Sequence, residues 1–150
     1  MTAAVVNHIG HCVSDLDRAK AFYVGVFGFT PWFEISPPDQ GSDTLLGLPS
    51  PLGMTASYLH LGDVVLELLS YGAREVQHPA PARTMDQVGL THFSFAVDDL
   101  ETTCAAVTEH GGTVLPDTNI GVAVFVRDPD GQLLELLPSS YRSKLPPFPA

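Results

Sequence analysis

The chain is short of positive charge. Seven Lys and Arg stand against 17 Asp and Glu, a formal net charge of −10, and a polyanion is repelled at that balance, so nucleic acid and anionic membrane are excluded as expected partners. Cysteine is scarce too. Cys12 and Cys104 lie far apart, without metal or redox spacing, and both are expected to be reduced core residues. No apolar run approaches the roughly 20 residues of a membrane span. The start, MTAAVVNHIGH, lacks a basic segment followed by a long apolar one. A cytoplasmic protein with a small-molecule partner is expected. An apolar share of 45% with a charged share of 16% is a globular composition, and 150 residues suit one domain with a real core rather than two independent ones.

What the chain does have is a repeat. NHIGHCVSDL, residues 7–16, lies over the THFSFAVDDL of residues 91–100, placing His92 under His8, Val97 under Val13, Asp99 under Asp15 and Leu100 under Leu16, at a constant spacing of 84. Further on, VVLELLS around Glu67 is echoed by QLLELLP around Glu135 at a spacing of 68, so the second copy is shorter inside. Each half opens on a strand with a histidine and closes on a strand with a glutamate.

Residues 7–13 alternate, with His8, Gly10 and Cys12 on one side and Ile9, His11 and Val13 on the other, as in a half-buried strand. Ser14 with Asp17 predicts a capping box for a helix whose stripe is Leu16, Ala19, Phe22 or Tyr23, and Val26 or Phe27, stopped by Gly28. Residues 30–35 predict a strand that Pro31 keeps at an edge. Residues 36–53, dense in Pro and Gly yet carrying Leu45, Leu46 and Leu48, predict a long loop, either a lid over a ligand or a surface insertion. A hairpin of residues 55–61 and 64–70 turns at Gly62 and Asp63. The first module is thus strand, helix and three strands over residues 6–71, and residues 72–89, with Pro79 and Pro81, form a linker.

The second module, residues 90–138, repeats the order. Asp98 with Glu101 predicts the cap, Leu100, Cys104 and Val107 the helix stripe, and Gly111 and Gly112 its end, with Gly112 under Gly28. Strands follow at 113–115, 122–127 and 132–137, the last pair joined by the DPDG turn, and the tail from Pro138 is expected to be irregular.

In each half the histidine sits opposite the aromatic or aliphatic set that packs beneath the helix. Val65, Glu67 and Leu69 share one face, as do Leu133, Glu135 and Leu137. A carboxylate between apolar neighbours needs compensation, because burying it unpaired costs several kcal/mol. A lone strand histidine is most often structural and a lone strand glutamate most often solvated. Their recurrence at equivalent places points instead to one metal site built from His8, Glu67, His92 and Glu135, since imidazole and carboxylate suit several divalent ions. His11, His60, His78 and His110 have no repeated counterpart and are read as structural.

HIGHCVSDLDRAKAFYVGVFGF, the LELL strand at Glu67, GLTHFSFAVDDL and DPDGQLLELL resemble the vicinal oxygen chelate superfamily, which holds glyoxalase I, methylmalonyl-CoA epimerase, extradiol dioxygenases and the fosfomycin and bleomycin resistance proteins. The resemblance runs from His8 to Leu137. It implies an α+β fold, a single domain of two paired βαβββ modules whose curved mixed sheets form a cup around a metal, and a homodimer, the site in some members being built from two chains. The set His8, Glu67, His92, Glu135 resembles that of glyoxalase I, which implies a lactoylglutathione lyase-like enzyme that uses Ni, Zn or Co and moves a proton through a metal-chelated enediolate, with Glu67 or Glu135 as base. Three alternatives stay open: an Fe(II) or Mn(II) dioxygenase on a catechol-like or polyketide compound, a methylmalonyl-CoA epimerase-like isomerase, and a metal-free drug-sequestering protein. For an anionic substrate such as a glutathione adduct, Arg18, Arg74, Arg83 and Arg127 are the candidate partners.

Overall fold

A computed structural model describes residues 4–79 and 84–147. The chain divides into two units, Met1–His78 and Pro79–Ala150. Each is a four-stranded mixed sheet with one longer and one shorter α-helix.

In the first unit β1 (Ile9–Cys12) leads into α1 (Leu16–Phe27), β2 (Thr30–Ile35), α2 (Asp39–Leu46), β3 (Met54–Leu61) and β4 (Val64–Tyr71). The sheet order is β1-β4-β3-β2, with β1 parallel to β4 and the remaining pairs antiparallel. The Pro31 strand is therefore an edge, as a residue without an N–H requires. Ala19, Phe22 and Tyr23 of α1 are buried, as are Leu59, Leu66 and Leu68 of the sheet. Each leucine so enclosed contributes about 1.5–3 kcal/mol of transfer free energy. Gly28 ends α1 in the left-handed region at φ 74°.

In the second unit β5 (Phe93–Val97), α3 (Leu100–Glu109), β6 (Thr113–Leu115), β7 (Val124–Arg127) and β8 (Leu133–Pro138) give the order β5-β8-β7-β6, again with the first strand parallel to the last. Its core holds Val107, Val124, Val126, Leu134 and Leu136. The turn before β8 is shaped by buried Asp128, whose carboxylate accepts from the backbone N–H groups of Asp130 (3.0 Å) and Gln132 (2.8 Å).

Several local expectations are corrected. The N-caps are Asp15 and Asp99, accepting from the N–H groups of Arg18 (2.9 Å) and Thr102 (2.6 Å), one residue beyond Ser14 and Asp98. Ser14 instead accepts from the Arg18 guanidinium at 2.8 Å. Of the two glycines expected to end α3, Gly111 takes the left-handed region, at φ 84°, one residue before the counterpart of Gly28.

Residues 36–53 are not structureless, for α2 lies within them, kinked at Gln40 and Gly41. Asp39 ties the start of this segment to its end, just before β3, by accepting from the N–H groups of Leu52 (2.9 Å) and Gly53 (3.2 Å), and Leu52 is fully buried. The tail begins with a short helix, α4 (Ser139–Arg142). Cys12 is exposed rather than in the core, while Cys104 is half-buried with its thiol pKa pushed up by burial. Pro81 and Arg83 lie outside the described residues.

Candidate functional site

The sheet pairing aligns the candidate residues without further assumption. In β4, Leu66 and Leu68 are buried on the helix-covered face, so Val65, Glu67 and Leu69 project from the other, where they are half-buried. In β8 the buried pair is Leu134 and Leu136, leaving Leu133, Glu135 and Leu137 on the open face. His8 and His92 each stand one residue before the strand expected to carry them.

The parallel pairing then closes each half. Gly10 is the register partner of Glu67, and Ser94 that of Glu135. His8 Nε2 comes to 3.1 Å from Glu67 Oε2, and His92 Nε2 to 3.6 Å from Glu135 Oε2. The Glu67 side chain keeps 13% of its exposure and that of Glu135 23%. Both carboxylates are therefore largely withdrawn from water, with an imidazole as the facing group.

The residue before each histidine holds its ring. His8 Nδ1 lies 2.7 Å from Asn7 Oδ1, and His92 Nδ1 lies 2.9 Å from Thr91 Oγ1. Such a contact on one ring nitrogen fixes the orientation of the other, which here faces the glutamate. Asn7 and Thr91 are also 84 residues apart, so the repeat contained this signal.

A second tier holds the carboxylates. Tyr58, on β3 directly across from Glu67, donates its hydroxyl to Glu67 Oε1. Its pKa is pushed up to about 12, first by burial and then by the hydrogen bond and charge of Glu67, which keeps the phenol a donor. Phe33 stacks on Tyr58 with ring centroids 4.3 Å apart and planes inclined by 14°. In the other unit the Ser94 hydroxyl donates to Glu135 Oε2 at 2.6 Å, and Phe125 meets the His92 ring edge-on at 5.3 Å.

Other candidates are placed as follows. His60 pairs with Val65, His11 packs edge-on against buried Tyr23 at 6.1 Å, and His110 caps α3. Arg18 binds Ser14, and Arg74 donates to the Pro49 carbonyl at 3.3 Å. Arg127 donates to the Gly131 carbonyl at 2.7 Å and lies in β7 on the same face as Phe125 and Glu135. Among the described residues, no three His, Cys, Asp or Glu side chains gather as a group able to hold a metal. Each unit gathers a pair.

Residues 5–136 match the sequence model of the Glyoxalase/Bleomycin resistance protein/Dioxygenase superfamily. The chain belongs to this superfamily. Among curated relatives, a lactoylglutathione lyase of Haemophilus influenzae is 28% identical over 130 residues, covering 83% of this chain and 85% of that one. A metallothiol transferase FosB of Shouchella clausii is 26% identical over 138 residues, covering 87% and 77%. The solved glyoxalase I of Leishmania major superposes with a TM-score of 0.68 at 23% identity, covering 95% of this chain and 91% of that one. The two mixed sheets with few helices are thus the glyoxalase-like α+β fold that the resemblance implied. No helix among the described residues is long and apolar enough to cross a membrane.

Proposed function

We propose that the chain is a metal-dependent enzyme of the glyoxalase I type, a lyase or isomerase that moves a proton between adjacent carbons of a small oxygenated substrate. The observation that carries this reading is the repeated His–Glu pair, its carboxylate in each unit largely withdrawn from water on the open face of the sheet. His8 and Glu67 supply one half of the coordination set, and His92 and Glu135 the other, from one chain or from two.

The donors suit a divalent ion. Imidazole and carboxylate ligands bind at about 2.0–2.2 Å, so neighbouring ligands on one ion stand about 3–3.5 Å apart. The His8–Glu67 separation of 3.1 Å falls in that range, and the His92–Glu135 separation of 3.6 Å lies just beyond it. Ni, Zn or Co fits this nitrogen and oxygen set, and when bound it supplies a Lewis acid that stabilises negative charge developing on substrate oxygens.

The protein's own groups do the rest. Asn7 and Thr91 hold the imidazoles, while Tyr58 and Ser94 hold the carboxylates. Glu67 or Glu135 takes the proton at a carboxylate oxygen and returns it to the neighbouring carbon. Phe33, Phe125, Val65 and Leu133 give the surroundings an apolar character that favours a small, partly apolar substrate. Among the described arginines, Arg127, on the Glu135 face, is the one best placed to meet an anionic group on it.

Separate Glu67→Gln and Glu135→Gln variants, assayed on a panel of α-oxoaldehyde thiol adducts and α-hydroxycarbonyls, test the reading. At least one variant is expected to lose turnover while retaining metal; full activity in both contradicts it. Turnover is expected to be equal under air and argon, and dependence on oxygen would favour a dioxygenase. The FosB relative, of similar identity, supports a second reading as a metal-dependent thiol transferase. Product analysis separates the two: proton transfer turns an α-oxoaldehyde thiol adduct into an isomeric thioester of the same mass, whereas a transferase joins a free thiol to a second substrate that carries none.

A further inference from the structure

The duplicated frame carries its carboxylate-holding hydroxyls at exchanged positions. In the first unit the donor comes from β3, where Tyr58 stands across from Glu67, and the parallel neighbour is Gly10, which has no side chain. In the second unit the donor is the parallel neighbour, Ser94, and the residue across from Glu135 is Phe125, which has no hydroxyl. The exchange has a geometric consequence. Tyr58 takes Glu67 Oε1 and leaves Oε2 facing His8, so the two oxygens have separate partners. Ser94 takes Glu135 Oε2, the same oxygen that faces His92.

We propose that Tyr58 is a positioning residue for the metal site, its hydroxyl holding Glu67 Oε1 so that Oε2 and His8 Nε2 are presented together to a divalent cation. The inference rests on the metal-dependent reading above and goes beyond it by assigning a role to a residue outside the ligand set. Its environment suits the task. The Phe33 stack braces one face of the Tyr58 ring, the His8 ring meets it edge-on with centroids 5.8 Å apart, and strand pairing to Glu67 fixes its backbone. One rigid ring therefore touches both members of the pair it organises. Donors that orient a ligand carboxylate typically change metal affinity by about 10–100-fold when removed.

The test compares Co(II) binding by the full-length protein and its Tyr58→Phe variant, following the visible d–d absorption during titration. Phenylalanine keeps the ring and its stack on Phe33, so a melting curve like that of the unaltered protein accompanies the comparison. The expected result is a 10–100-fold weaker affinity with an altered d–d spectrum, and no further weakening when Tyr58→Phe is added to Glu67→Ala. Equal affinity and an unchanged spectrum in Tyr58→Phe would overturn the inference alone. Failure of the unaltered protein to bind Co(II) would overturn the metal-dependent reading and this inference with it. A weakened Tyr58→Phe variant that loses the same factor again in the Glu67→Ala background would also overturn it, since the hydroxyl would then act elsewhere.

Discussion

Ser94 donates its hydroxyl to Glu135 Oε2 at 2.6 Å across the parallel pairing of β5 and β8. In the matching place of the first unit, a Cβ added to Gly10 would lie 3.5 Å from Glu67 Oε2, an ordinary contact. Gly10→Ser is therefore accommodated, with a stability change within about 0.5 kcal/mol, and it brings a second hydroxyl to the oxygen that faces His8. Metal affinity is expected to fall in this variant, since the added hydroxyl competes for that oxygen. Calorimetric titration with Ni(II), alongside thermal melts, checks both.

The helix caps give a prediction with a pH signature. Asp15→Ala is expected to cost about 1 kcal/mol, whereas Ser14→Ala leaves the backbone N–H of Arg18 with its partner and costs less. Asp99→Ala also lowers stability, and here the pH dependence is defined. The Thr102 N–H, which Asp99 accepts, holds its carboxyl below the ordinary value of 3.8. Because the folded-state pKa is depressed, the contribution is complete above the ordinary value and is lost as pH falls through the folded one. Urea midpoints of the native chain and Asp99→Ala should differ at neutral pH and converge as the solution is acidified below the ordinary carboxylate range.

The two faces of β4 should answer differently to truncation. Leu68 is fully enclosed on the helix side, so Leu68→Ala is expected to cost about 2–5 kcal/mol. Val65, half-buried beside Glu67, loses less apolar contact, and Val65→Ala should cost under about 1.5 kcal/mol. Denaturant unfolding of the two variants measures the difference, and a larger loss at Val65 would reverse the facing assigned to Glu67.

Much of this architecture was legible because alternation and repetition reinforce each other. Leu66 and Leu68 could be separated from Glu67 by the period of a strand, and the same period in residues 133–137 placed Glu135. The caps were less legible. Ser14 and Asp15, or Asp98 and Asp99, are adjacent residues of cap-forming type, and only the backbone decides which side-chain oxygen reaches the open N–H. α2 was missed because Pro37, Pro38, Gly41 and Gly47 read as loop, whereas Asp39 and buried Leu52 secure it through contacts that no local pattern displays.

Tyr58 could have been found. Counting equal steps back from the Gly62-Asp63 turn sets Tyr58 across from Glu67, and a phenol beside a strand carboxylate is a ready donor. Ser94 was reachable through the repeat, since it occupies the place of Gly10. Attention to identical residues hid both, for the carboxylate-holding groups differ in kind between the halves.

The most direct test of the account is metal stoichiometry, measured by elemental analysis on the purified chain reloaded with Ni(II) after chelation. The account predicts one ion per chain, and less than one in each of the separate variants His8→Ala, Glu67→Ala, His92→Ala and Glu135→Ala, because the proposed coordination set draws on all four residues. An unchanged metal content when either unit's pair is removed would contradict it.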